Sequence, residues 1–120
     1  MSDNHDFEIS FYESILKKEP KFVEAIEILG ELYTNAGRVE DGLKMDRKMV
    51  RLKPDSPVVH YNLACSLALK RRYKEALEAL GHAVDIGYKD LDWMLEDPDL
   101  ENLRNQPGFQ HLIKHLKEAS

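Results

Sequence analysis

The chain has 120 residues, 42% of them hydrophobic and 32% charged, which is one domain's worth of sequence and enough to bury roughly two thirds of the unfolded surface. No apolar run approaches the roughly 18 residues that span a bilayer, and a net charge of −5 argues against nucleic acid as a bulk partner, because phosphate binding needs a basic footprint. The single cysteine, Cys65, excludes an internal disulfide and a cysteine-based zinc site and fits a reducing compartment; with a polar, acidic start unlike a secretory signal peptide, it points to the cytoplasm.

Charge is unevenly spread. Residues 1–35 hold 3 basic and 8 acidic side chains, residues 36–74 hold 10 and 4, and residues 75–120 hold 4 and 10. A basic belt therefore lies between two acidic ends. Residues 5–20 begin the chain with a helical pattern, in which Phe7, Phe11, Tyr12 and Ile15 exceed what one neighbouring helix covers. Phe11, Tyr12, Ile15, Leu16 and Pro20 fall 34 residues before Met45, Asp46, Met49, Val50 and Pro54.

Residues 23–56 lie on residues 57–90 at the same shift of 34. Leu29 meets Leu63, Gly30 meets Ala64, Tyr33 meets Leu67, Val39 meets Tyr73, Gly42 meets Ala76, Met49 meets Ala83 and Leu52 meets Ile86. Small residues at two points with larger apolar ones around them suit two helices whose backbones approach closely. In the first copy Ile26, Leu29, Leu32, Tyr33 and Ala36 recur at three and four residues. Gly37 breaks that helix, and a second runs from Val39 to Leu52 until Pro54 stops it. In the second copy Ser56 is the expected N-cap with Pro57 at the first helical position, followed by Leu63, Ala64, Leu67 and Ala68. A turn near Arg71 leads to Tyr73, Ala76, Leu77, Leu80, Ala83 and Val84, and Gly87 is a left-handed stop. Residues 91–120 abandon the period: Asp97 with Pro98 reads as a helix start, and Pro107, Phe109, Leu112, Ile113 and Leu116 as a final amphipathic helix.

The run Ile26, Leu29, Gly30, Tyr33, with Gly37 at the turn and Pro54 at the end, resembles the tetratricopeptide repeat family. A second copy resembles it through His60, Leu63, Ala64, Leu67, Tyr73, Ala76, Leu80 and Ala83. The resemblance implies an all-α fold, a right-handed superhelical solenoid of antiparallel helix pairs forming one domain, with a half repeat at 5–20, repeats at 23–56 and 57–90, and capping helices at 91–120. Caps are needed because a terminal repeat otherwise exposes an apolar face. Two positions depart from the family pattern. Asp46 replaces a large apolar residue, so that helix is either looser there or turned to use Met45. Gly42 replaces an alanine at a helix cost of about 0.5–1 kcal/mol, which makes the first repeat the softer one.

The resemblance further implies a concave groove lined by the first helix of each pair, presenting Glu24, Glu27, Glu31 and Asn35 from one repeat and Tyr61, Asn62, Cys65 and Leu69 from the other. Its ligand would be a protein or peptide, basic or apolar rather than acidic by charge complementarity. Glu27 and Glu31 stand where co-chaperone members of the family carry carboxylate-binding side chains, which argues against a chaperone-tail clamp. The rival reading is a structural module that forms a homodimer through Phe7, Phe11, Tyr12 and Ile15.

Other clusters read as ordinary surface. Lys44, Arg47, Lys48 and Arg51 form a basic stripe without the interleaved aromatics that stack bases. His111 and His115 share a helical face without a third ligand. The acidic run Asp90, Asp92, Glu96, Asp97 and Asp99 lacks the glycine and closing glutamate of a calcium loop and reads as helix-start charge and solvation. With no nucleophile elbow, phosphate loop or zinc-protease motif, the expectation is a non-enzymatic adaptor without metal or cofactor.

Overall fold

The computed structural model describes residues 3–119 and the side chains of residues 5–119. Within them the elements are α1 (Asp3–Lys18), α2 (Val23–Asn35), α3 (Val39–Leu52), α4 (Pro57–Leu69), α5 (Tyr73–Asp85), α6 (Leu91–Glu96), a 3-10 helix (Pro98–Leu103) and α7 (Pro107–Ala119). Among the described residues there is no strand, and consecutive helices pack in neighbouring pairs, as the all-α expectation requires. The chain forms two compact units, Met1–Pro54 and Asp55–Ser120, divided at the proline that ends α3.

In the first unit α2 buries Ala25, Ile26, Leu29, Gly30 and Tyr33, and α3 buries Gly42, Leu43 and Met49. Gly37 closes α2 at φ +82°, a left-handed conformation that costs glycine nothing. The Gly37 N–H donates to the Thr34 carbonyl at 3.0 Å and the Arg38 N–H to that of Tyr33 at 2.7 Å. The chain therefore reverses within three residues, and α3 runs back antiparallel along α2. A Cβ placed on Gly30 would stand 3.2 Å from Cβ of Met45. Of the two arrangements open for this helix, the one that turns Met45 onto α2 is observed, with an Asp46 carboxylate oxygen 3.9 Å from the same point.

One turn further along the pair the fit is tighter. A Cβ on Gly42 would lie 2.6 Å from Oγ1 of Thr34, whose hydroxyl donates to the Gly30 carbonyl at 3.1 Å. Helix α1 joins through Ile9 and Leu16, both buried. The Tyr33 hydroxyl donates to Oε2 of Glu13 on α1 at 2.5 Å, and the Arg38 guanidinium lies 4.7 Å from the centre of the same ring while its Nε donates to Asp41 at 2.9 Å. The aromatic of the repeat pattern thus also fastens α1 to its neighbour.

The second unit is organised around α4. Ser56 caps it, accepting the Val59 N–H at 3.4 Å, with Pro57 in the first turn; such a cap contributes about 1 kcal/mol. The helix PVVHYNLACSLAL is apolar on all sides, and Val59, Leu63, Ala64, Leu67 and Ala68 are among its buried residues. A helix without a distinct polar face must be covered over most of its surface, and only Val58 and Asn62 of α4 are exposed. Helix α5 supplies Ala76, Ala79, Leu80 and Ala83 on one side, and the 3-10 helix lies against α4 on another, with Leu100 and Leu103 fully buried. Helix α7 closes over α5 through Phe109 and Ile113, where Gly108 comes so near Leu77 that an added Cβ would sit 2.9 Å from its Cδ1. Arg71 takes φ +60° at the α4–α5 turn and Gly87 takes φ +124° after α5, as the turn and stop signals indicated.

Candidate functional site

On α2 the residues Glu24, Glu27, Glu31 and Asn35 are all exposed. Their spacing of three and four residues sets them on one face, opposite the buried Ile26, Leu29 and Tyr33. Ile28 lies within this face and is 39% exposed. Among the described residues no ion pair engages the three glutamates. The result is an open acidic surface with an apolar centre.

On α4 the four expected groove positions separate by environment. Asn62 is exposed and Leu69 partly so, whereas Tyr61 is 4% exposed and Cys65 is also buried. These two are a correction to the groove expected from the resemblance, because the C-terminal segment of the same unit covers them. The Tyr61 hydroxyl donates to Oδ2 of Asp97 at 2.7 Å, the Cys65 thiol donates to the same oxygen at 3.7 Å, and the Tyr61 ring stacks on Tyr88 with centroids 4.2 Å apart. Oδ1 of Asp97 accepts the Asp99 N–H at 2.9 Å, and its carbonyl accepts Arg104 Nη2 at 2.5 Å.

Asp97 is therefore not one of a set of solvated charges but a 4%-exposed carboxylate that ties the 3-10 helix to α4. The helix start expected at Asp97 and Pro98 is observed, with Asp97 capping the 3-10 helix through the Asp99 N–H, but nothing in the acidic run points to its burial. Asp90, from the same run, likewise acts at a helix start, accepting the Trp93 N–H at 3.1 Å. Cys65, Asp97 and Asp99 bring their ligand atoms within 4.8 Å of one another, the one such trio among the described residues. Both Asp97 oxygens already accept hydrogen bonds, so the trio is accounted for as packing.

Burial, followed by the Asp97 charge, raises the Cys65 thiol well above its ordinary range, so it stays protonated at neutral pH. Tyr61 is raised by burial and by its bond to Asp97, and Tyr33 by burial and by its bond to Glu13. The folded-state values lie above the ordinary 10.0 of the unfolded chain. This stabilisation is fully present below pH 10 and is lost as pH rises further, because the unfolded chain releases protons that the folded one keeps. Stability is expected to fall above that point by about 1.4 kcal/mol per pH unit for each tyrosine. Urea unfolding between neutral pH and pH 11 checks it, and a flat profile through that range would exclude it.

The remaining expected positions fall on the surface or at its edge. Phe7 and Phe11 are 74% and 51% exposed, with Tyr12 and Ile15 half-buried beside them. In the basic stripe Lys44 and Arg51 are exposed, Arg47 and Lys48 are partly covered, and Lys44 lies 3.9 Å from Asp41. His111 and His115 are both exposed.

These features define an all-α array of consecutive antiparallel helix pairs, an arrangement compatible with the tetratricopeptide repeat, with no described helix long and apolar enough to cross a membrane. No family model matches the chain. It is 30% identical over 116 residues to a protein of Arabidopsis thaliana whose name describes it as chloroplastic, an alignment that covers 93% of this chain and 35% of that protein. It is 33% identical over 72 residues to Superkiller protein 3 of Saccharomyces cerevisiae, covering 60% of this chain and 5% of that protein. The chain thus spans about a third of the length of one curated relative and a small fraction of the other.

Proposed function

We propose that the chain is a tetratricopeptide-type interaction module, non-enzymatic, that binds a basic or apolar polypeptide. The observation that carries this reading is the exposed α2 face of Glu24, Glu27, Glu31 and Asn35 around Ile28. Three carboxylates without ion-pair partners favour cationic side chains, and the isoleucine adds apolar contact. In the second unit Asn62 and Leu69 remain available, whereas Tyr61 and Cys65 serve the packing of the C-terminal segment.

A short fluorescent peptide alternating Lys and Leu, compared with its Glu/Leu counterpart, tests the preference. The Lys peptide is expected to bind better, and the variant E24K/E27K/E31K to weaken it by about tenfold. Equal affinity for the two peptides, or no effect of the triple reversal, would remove the proposal. A second reading, a structural module that pairs with itself, is favoured by the exposure of Phe7 and Phe11. The compartment we propose is a reducing one. The cytoplasm fits the composition, a plastid would follow the relative named chloroplastic, and fractionation of the tagged protein separates the two.

A further inference from the structure

We infer that α1 is an isologous docking surface for a second copy of this chain, the two α1 helices lying antiparallel. The inference rests on the self-pairing reading and gives it a geometry. Helix α1 has two opposed faces. Ile9 and Leu16 are buried within the unit, whereas Phe7, Phe11, Ser14 and Lys18 are exposed on the other side. The exposed residues are spaced four, three and four apart, which keeps them in one line along the helix, the spacing of a helix–helix seam. Two large aromatic rings on such a line, beside a serine small enough to receive a ring from across, form a self-complementary surface.

Charge selects the occupant and the direction. Asp6 and Glu8 stand at the N-terminal end, Lys17 and Lys18 at the other; all four are exposed, and no ion pair engages them among the described residues. Two parallel copies would set like charges side by side. When they are antiparallel, with Ser14 opposite Phe11 of the second copy, the lysines fall beside the second copy's acidic residues, twice by symmetry. A helix of 16 residues is about 24 Å long, which offers less area than the roughly 800 Å² per partner of a standard interface. The dimer is therefore weak and concentration-dependent.

Sedimentation equilibrium of the intact chain over a range of concentrations tests this, with circular dichroism confirming that each variant keeps its helices. The wild type is expected to dimerise and F11D to remain monomeric. K17E/K18E and D6K/E8K are each expected to dimerise about tenfold more weakly, and the four-fold variant D6K/E8K/K17E/K18E to recover. A wild type that is monomeric at every concentration overturns both this geometry and the self-pairing reading. Dimerisation that F11D abolishes but the four-fold variant does not restore overturns the antiparallel geometry alone, leaving self-pairing through the phenylalanines in place.

Discussion

Asp97→Ala is expected to destabilise the second unit by about 3 kcal/mol and to lower its melting temperature by about 12–24 °C. The carboxylate is buried, so the expectation could run the other way, because an ionised group taken out of water is costly and its removal can be neutral. The hydrogen bonds decide the sign. Asp97 accepts from the Tyr61 hydroxyl, the Cys65 thiol and the Asp99 N–H, and alanine would leave all three without this acceptor, the first two in a buried contact with nothing to bond. Each orphaned donor costs about 1–3 kcal/mol, less where the surroundings relax to admit water. Asp97→Asn keeps an acceptor oxygen of the same shape and is expected to cost about half as much. Tyr61→Phe, which removes one donor to a charged acceptor, is expected to cost about 1.5–3 kcal/mol. Trp93, the chain's single tryptophan, lies on α6 in the same unit, so its fluorescence in urea reports the relevant unfolding. An alanine variant within 1 kcal/mol of the wild type would show that the network does not hold the C-terminal segment to α4.

Gly42→Ala, although it raises intrinsic helix propensity by about 1 kcal/mol, is expected to destabilise the first unit by about 1 kcal/mol net. The new Cβ would lie 2.6 Å from Thr34 Oγ1, and that hydroxyl is held by the Gly30 carbonyl. Overpacking of this kind typically costs about 1–3 kcal/mol, which exceeds the propensity gain. The double variant T34A/G42A is expected to recover wild-type stability or better, with a coupling energy of about 2 kcal/mol in a double-mutant cycle. The second unit supports this, since 34 residues on from Thr34 and Gly42 stand Ala68 and Ala76, both fully buried. One repeat joins a larger residue to none, the other joins two methyl groups, and the helix spacing is served either way. Finding Gly42→Ala as stable as the wild type would refute the contact. The glycine is thus not merely a weak point of the first repeat, as helix propensity alone suggests.

The candidate surface on α2 was legible because its signal is local. Glu24, Glu27, Glu31 and Asn35 share a face by helical spacing, and the opposite face, Ile26, Leu29 and Tyr33, is the one that is buried. The α4 positions were misread for the complementary reason. Spacing puts Tyr61 and Cys65 in the same relation to their helix, yet what lies over them arrives from 36 and 32 residues downstream. Periodicity within one helix says which residues share a side. It does not say which sides are covered.

What the amino-acid sequence determined by itself was therefore the paired helices of the two repeats and several of their ends: α3 over Val39–Leu52, the start of α4 at Ser56 and Pro57, the stops at Gly37 and Gly87. These depend on backbone conformations and caps that a few adjacent residues set. Tertiary structure alone decided that Met45 rather than Asp46 meets Gly30, that Thr34 fills the space left at Gly42, and that Asp97 is a buried acceptor rather than a solvated charge. Each of these is a matter of volume or hydrogen bonding between residues brought together from different helices, and no residue's neighbours in the chain record it.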